Sequence, residues 1–290
     1  MTPLPCRPLG KTGVEVPILG LGTAPSGHRP EKDAVAFYRR CLDTGITHLD
    51  TGPQRGGFGN AQVYLGQVIP ERREDLFIAT RCCEPDGEAA LRQLQQNLAD
   101  LRIDHADLVY VQSLGDDAMD PAAIYGPRGV CKALEKARRD GLTRFLGVSG
   151  HHRPGRFLQA LEEWDFDVML NAVNLVSRHI YGFERQVWPE AARSGVALLA
   201  MKVFGGVKDS AHSAKGAHLP DALRQPALRY ALGLPGASGI VLGFHDEEEL
   251  TQTLPWIRSC PPLTAEELAA LEAPTRELAA QWGEVYGPPL

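Results

Sequence analysis

Short apolar runs recur along the chain: ILGLGT (18–23), ITHLD (46–50), LFIATR (76–81), DLVYVQS (107–113), TRFLGVS (143–149), DVMLNAV (167–173), VALLAMK (196–202) and SGIVLG (238–243). None alternates cleanly between apolar and polar positions, as expected of parallel strands covered on both faces. Between and after them lie segments with helical periodicity: EKDAVAFYRRCLDTG, NAQVYLGQVI, GEAALRQLQQNLADL, GVCKALEKARRDG, RPGRFLQALEEW, FERQVWPEAARSG, PDALRQPALRYALGL and DEEELTQTLPWI. Gly45, Gly141 and Gly195 stand where a left-handed residue ends a helix, and Asp246 with Glu249 forms an N-cap pair. Pro226 inside one helical pattern predicts a kink or a split.

Strand and helix alternating eight times predict a single (β/α)8 TIM barrel of the α/β class, since right-handed crossovers close most economically that way. A doubly wound sheet is disfavoured because no GxGxxG separates the first strand from its helix. Residues 6–17, CRPLGKTGVEVP, read as a β-hairpin around a Lys-Thr-Gly turn, a lid over one end of the core. The segment from Thr264 to Tyr286 adds a C-terminal helix, opened by a capping box of Thr264 and Glu267, and carries Tyr286 toward one rim. One domain over residues 1–290 is expected, with the hairpin at 6–17 and the additional helix and tail at 264–286.

Composition narrows the partners. With 43% hydrophobic and 23% charged residues in 290, there is material for a large core, and no run approaches the roughly 20 apolar residues of a membrane span. The net charge of −6 and scattered basic residues argue against nucleic acid and anionic membranes, leaving a small-molecule substrate as the expected partner and the oligomeric state open. The first residues lack the pattern of a signal peptide, so the cytoplasm is the expected location. The six cysteines show no CxxC spacing, so no metal is expected and free thiols are.

In a barrel of this kind, chemistry gathers at the carboxyl ends of the strands. Those ends are polar here: Thr23, Asp50, Arg81 with Cys82, Gln112 with Ser113, Ser149 to His152, Asn171 with Asn174, Met201 with Lys202, and Gly243 to His245. Asp50, which leads into the glycine-rich stretch TGPQRGGFGN, is the anchor of the set.

Five ordered segments, RPLGKTGVEVPILGLGT (7–23), GITHLDTG (45–52), GLTRFLGVSGHH (141–152), GVALLAMKVFGG (195–206) and LRYALGLPGASGIVLGFHDEEEL (228–250), resemble the aldo-keto reductase superfamily. That resemblance implies a nicotinamide cofactor, NADP or NAD, lying extended across the barrel mouth without a Rossmann domain. It places Ser149 and Asn171 at the carboxamide and Met201 against the nicotinamide ring. It places Lys202, Val203, Phe204, Gly205 and Gly206, with Gly243 through His245 and Asp246, around the phosphates and adenosine. Thr23 and Asp50 complete the cofactor-binding set. Independently of the family, the loops after strands seven and eight of such barrels form the usual phosphate site. Gly150 stands where the family usually has Asn, and the acidic HDEEE loop offers a 2′-phosphate poor electrostatics, so NADP and NAD both stay open.

The family reduces carbonyls with an Asp, a Tyr, a Lys and a His, and the resemblance implies a degenerate version of this tetrad. Asp50 is present. Arg81 stands in place of the Lys, Gln112 in place of the His, and the Tyr position aligns with either Arg55 or Phe58. An arginine supplies fixed charge in a planar fork but does not tune a neighbour by giving up a proton. Gln112 offers an amide N–H to a carbonyl without titrating. Arg55, if it reached the mouth, would join Arg81 in favouring a substrate with a carboxylate or phosphate. His151 is the expected substitute in proton transfer, with His152 beside it. Cys82 and Cys83 follow a cation that favours thiolate, and Tyr125, Tyr181 and Tyr286 are further phenols. Two functions follow. One is an NAD(P)-dependent oxidoreductase acting on a carbonyl or alcohol of a small substrate. The other is a non-reductive protein on the same fold, either a nucleotide-responsive pseudoenzyme or a lyase or isomerase.

Overall fold

A computed structural model describes residues 3–206 and 217–290. β1 (Cys6–Pro8) and β2 (Glu15–Pro17) pair antiparallel around a 3-10 turn at Gly10–Thr12, with Cys6 opposite Pro17. Eight parallel strands follow: β3 (Leu19–Gly22), β4 (His48–Asp50), β5 (Phe77–Cys82), β6 (Ala106–Val111), β7 (Thr143–Gly150), β8 (Val168–Ala172), β9 (Ala197–Met201) and β10 (Ala237–Leu242). They pair in chain order, and β10 returns to β3 with Ile240 opposite Leu19, closing the barrel. The eight apolar runs are therefore the eight barrel strands.

Burial on both strand faces explains why those runs do not alternate. Along β6, Leu108 and Tyr110 point into the barrel, while Val109 and Val111 pack outward against helices. The inner cluster, which includes Phe77, Ala79, Leu170 and Leu199, is joined by Leu9 and Val16 of the hairpin, both fully buried. The Lys11 N–H donates to Gly195 O just before β9, so the hairpin plugs the amino end of the barrel and leaves the carboxyl end open.

Outside the strands run helices at Glu31–Asp43, Gly87–Leu101, Val130–Arg139, Pro154–Glu163, Asp221–Gly233 and Glu247–Arg258. Among the described residues, no helix is long and apolar enough to cross a membrane. The pattern NAQVYLGQVI forms a helix only over Ala61–Leu65, and a Cβ on the next residue, Gly66, would lie 2.2 Å from Asp100 O. FERQVWPEAARSG divides into Phe183–Gln186 and Trp188–Arg193, because Pro189 has no N–H to continue the first helix into the second. Pro226 does not split its helix, which is continuous over Asp221–Gly233; near the first turn a proline removes a single intrahelical bond. Residues 114–128 contain a short helix, Pro121–Tyr125, capped by Asp120.

The C-terminal helix spans Ala265–Trp282 with both halves of its capping box formed: Glu267 N donates to Thr264 Oγ1 at 3.2 Å and Thr264 N to Glu267 Oε2 at 2.8 Å. Beyond it, Tyr181 Oη donates to Gly287 O at 3.0 Å and accepts from Tyr286 N at 2.9 Å. The Tyr286 ring lies 5.8 Å from that of His151, at the rim of the open end.

Candidate active site

A cavity of about 650 Å³ occupies the open end of the barrel. Its floor is built by strand alternation. On β4, Leu49 faces the helices while Asp50 turns inward; on β5, Phe77, Ala79 and Arg81 share the inner face. Asp50 and Arg81 therefore meet inside the barrel, where Arg81 Nη2 donates to Asp50 Oδ1 in an ion pair buried from solvent on both sides. Asp50 Oδ2 is buried without a hydrogen-bond partner. Burial pushes the Asp50 carboxyl above the ordinary carboxylate range, and the charge and hydrogen bond of Arg81 oppose that push.

The remaining guanidinium nitrogens of Arg81 reach Thr51 O at 3.3 Å and Ser149 Oγ at 3.2 Å. Its carbon lies 5.0 Å from the ring centre of Phe58 and 5.2 Å from that of Tyr110, so two aromatic faces flank the charge. Gln112 closes one side. Its Nε2 donates to Gly56 O at 3.2 Å and its Oε1 accepts from Cys83 Sγ at 3.3 Å, which leaves its second amide hydrogen available to a ligand. Gly56 permits this approach, since a Cβ there would stand 2.8 Å from Gln112 Oε1.

The opposite wall carries Met201 at the end of β9, Lys202, Phe204, Gly205 and Gly206 after it, and Gly243 and His245 after β10. Lys202 has left-handed backbone (φ 58°) and its carbonyl accepts from Asn174 Nδ2 at 2.9 Å and Gly205 N at 2.8 Å. Burial, with the charge of Arg81 adding to it, pushes the Lys202 ammonium down to about 8. Arg224 arrives from the helix Asp221–Gly233, 3.1 Å from Glu249 Oε1 and 5.5 Å from the Phe204 ring centre. Glu249 Oε2 in turn accepts from His245 N at 2.8 Å.

Of the expected site residues, Asp50, Arg81, Gln112, Ser149 and His151 line this cavity, as do Met201, Lys202, Phe204, Gly205, Gly243 and His245. Five others do not. Arg55 turns outward, about two thirds exposed, to pair with Glu84; it is Phe58, the eighth residue of the glycine-rich stretch, whose ring faces Arg81. Asn171 lies on the outer face of β8, where its Oδ1 accepts from Trp188 Nε1 at 3.1 Å, because the side chain that alternation turns inward is Leu170. Its Nδ2 is buried without a partner. Thr23 is buried behind the floor, donating through both N and Oγ1 to Asp50 O. Val203 is buried in the outer core, and Asp246 caps the following helix by accepting from Glu249 N.

The other candidates fall away on geometry. His152 is buried beneath the loop 114–128 with its ring against Gly115 and Gly287, and Arg153 and Arg156 tie that loop down through Gly115 O, Leu114 O and Met119 O. Cys82 faces Ala90 O in the helical layer. Burial pushes the Cys83 thiol up to about 11 despite nearby Arg81 and Arg55, opposite to the expected activation. Among the described residues no tyrosine lines the cavity.

Two groups escaped the sequence reading. Tyr110, on the inner face two residues before Gln112, is fully buried with its hydroxyl unpartnered, and burial raises its phenol far above the ordinary range. Period-two counting back from Gln112 would have found it. Arg224 gave no signal, being one of several charges on an amphipathic helix.

A set of donors of this kind suits an anionic, extended ligand. The wall combines Lys202 and Arg224 with the backbone of Gly22, Gly205, Gly206 and Gly243, where phosphates can approach closely. The Aldo/keto reductase family matches residues 18–221. L-Galactose dehydrogenase of Arabidopsis thaliana is 29% identical over 163 residues, 52% of this chain and 50% of that protein. Pyridoxal 4-dehydrogenase of Microbacterium luteolum is 24% identical over 88% of this chain and 94% of its own. Rho crystallin of Rana temporaria is 27% identical, with 68% of this chain and 65% of the crystallin covered. The matched stretch thus spans about half the length of the first of these relatives. Among solved structures, the thermostable aldo-keto reductase Tm1743 bound to epalrestat superposes with a TM-score of 0.76 at 23% identity, covering 93% of this chain and 99% of that one. The aldo-keto reductase AKR2E4 of Bombyx mori in complex with NADP gives 0.74 at 20% identity, with full coverage of both chains. Because the family match extends from the first barrel strand, β3, through β9, the chain belongs to the aldo/keto reductase family.

Proposed function

We propose that this chain, working as one domain in the cytoplasm, is an NAD(P)-dependent oxidoreductase acting on a carbonyl or alcohol of a small anionic molecule. The observation that carries this reading is the buried Asp50–Arg81 pair, bonded on to Ser149, at the base of a cavity whose far wall bears Lys202, Arg224 and four glycines. Such a wall fits a dinucleotide's phosphates, and Met201 offers an apolar face beside the floor. When bound, the cofactor would supply or accept a hydride. Lys202, Gly205 and Gly243 would hold its phosphates, Ser149 its carboxamide and His245 its adenosine end.

The chain's own residues do the rest. Arg81, held by Asp50 and flanked by two aromatic rings, presents fixed positive charge where negative charge gathers on a substrate oxygen. Gln112 donates its second amide hydrogen to the same oxygen, and His151 holds or delivers the proton. Among the described residues of the cavity lining, three cationic side chains, Arg81, Lys202 and Arg224, face two carboxylates, Asp50 and Glu249, which favours an anionic substrate. Six cysteines without a disulfide suit a reducing compartment. Titrating NADH and NADPH by nicotinamide fluorescence tests the first requirement, and no binding at millimolar cofactor would end this reading.

A non-reductive role on the same fold is the second reading, favoured by the lack of a cavity-lining phenol among the described residues. It would be abandoned if steady carbonyl-dependent oxidation of NADH or NADPH were lost on Asp50→Asn and on Arg81→Met.

A further inference from the structure

We propose that Lys202 Nζ is a covalent capture site that forms an iminium with the carbonyl carbon of a small aldehyde or ketone carrying a carboxylate or phosphate. Several independent features converge on this nitrogen. Lys202 follows the last residue of β9 and lines the cavity, so a molecule entering the barrel mouth meets it. Its left-handed backbone is disfavoured for a residue with a Cβ, by about 1 kcal/mol or more. The carbonyl is nonetheless held there by Asn174 Nδ2 from the loop after β8 and by Gly205 N within its own loop. Strain maintained by specific bonds at a cavity wall is a mark of a side chain kept in a working position.

The environment also makes the amine a nucleophile. Burial and the neighbouring Arg81 charge bring the ammonium down to about 8, leaving an appreciable neutral fraction at neutral pH, and a desolvated lysine beside another cation is the usual form of an imine-forming residue. Lys11, Lys132 and Lys136 lie outside the cavity, and Lys132 and Lys136 are more than half exposed.

The step balances without a cofactor. The neutral Lys202 amine adds to the carbonyl carbon, a C–N bond forms, and the carbonyl electron pair moves to oxygen, which takes a proton. Nitrogen loses one proton, and the hydroxyl takes up another and leaves as water. The product is an iminium, with no net oxidation or reduction. Its positive charge stands near Arg81, so an anionic group on the captured molecule sits between two cations. His151 and Gln112 line the same cavity, where His151 can serve the proton transfers to and from oxygen and Gln112 can donate a hydrogen bond to it. This proposal does not rest on the oxidoreductase reading, although a cofactor phosphate would compete for the same nitrogen.

The experiment is reductive trapping of the full chain with glyoxylate and cyanoborohydride at pH 7, followed by peptide mapping. The expected result is an adduct on Lys202 at about tenfold or more the yield on Lys11, Lys132 or Lys136, reflecting the larger neutral fraction of a depressed amine. The cavity adduct should disappear in both Lys202→Arg, which keeps the cation and guards against a folding defect, and Lys202→Met. Labelling spread over the exposed lysines, with Lys202 no more reactive than they are, would overturn the proposal. Glycolaldehyde, which is neutral, should give a lower ratio of Lys202 to Lys11 labelling than glyoxylate, and an equal or higher ratio would overturn the anionic preference. No nicotinamide is involved. Failure to bind NADPH would therefore leave the trapping result intact, and an unlabelled Lys202 would leave the oxidoreductase reading intact.

Discussion

Asp50 and Arg81 are each almost entirely removed from water, so the pair is held together by what either would lose alone. Removing one partner of a buried ion pair leaves an uncompensated charge at about 3–5 kcal/mol, whereas removing both is close to neutral. Arg81→Met should therefore destabilise the protein by about that amount in urea unfolding, and the double variant Asp50→Leu/Arg81→Met should recover most of it. A double variant whose loss equals the sum of the Asp50→Leu and Arg81→Met losses would show that the pair is not coupled. His48, two residues before Asp50 on the same inward face, makes a separate prediction. Its ring is fully buried, neither nitrogen has a partner, and burial lowers it to about 4. The unfolded chain takes up this proton near pH 6.5 and the folded one only near 4, so stability is full above 6.5 and falls as pH drops toward 4. The loss is on the order of 3 kcal/mol. Unfolding at pH 7 and pH 4.5 should show this loss in the wild type and a smaller one in His48→Leu.

At the level of elements, the strands were legible because burial on both faces forces continuous apolar runs, and the hairpin and capping box because their turn and cap residues are local signals. Positions that depend on long-range packing were not. Arg55 and Phe58 could not be separated by counting, since the stretch between Asp50 and Ala61 is a 3-10 turn at Gln54–Gly56 followed by left-handed Gly57 and Gly59, and no regular period carries through it. Asn171 was misplaced because an unbroken apolar run hides which face a residue takes; the partner that fixes its direction, Trp188, lies on a later helix. The hairpin makes a prediction of its own. Leu9 seals the amino end of the inner cluster, so Leu9→Ala should cost about 2–5 kcal/mol by opening a cavity there. A change within experimental error in chemical denaturation would mean the hairpin rests on the barrel without plugging it.

For the molecule as a whole, Leu9 and Val16 plug one end of the barrel and the other end holds the cavity, so among the described residues the way in is at the carboxyl ends of the strands. A dinucleotide bound there would contact the loops after β7, β9 and β10 together and stabilise the fold as a unit. At a hundredfold excess over its Kd it should add about 2.7 kcal/mol. The midpoint of thermal unfolding should rise with NADH or NADPH concentration, and that rise should be weaker in Lys202→Met. Identical shifts in the two proteins would place the phosphates elsewhere. The family could be read from ordered segments spread over the whole barrel; the chemistry could not, because it depends on which side chains converge across strands distant in sequence.

Phe58 has a consequence on another timescale. Its ring lies 5.0 Å from the Arg81 guanidinium, and phenylalanine and tyrosine codons differ by one base. Every replicating population carrying this gene therefore samples Phe58→Tyr, a variant with a phenol beside a fixed positive charge that eases release of its proton. Under laboratory selection for NAD(P)H-dependent carbonyl reduction, Phe58→Tyr is the expected first substitution, and lineages that respond without it would have placed their proton donor elsewhere in the cavity.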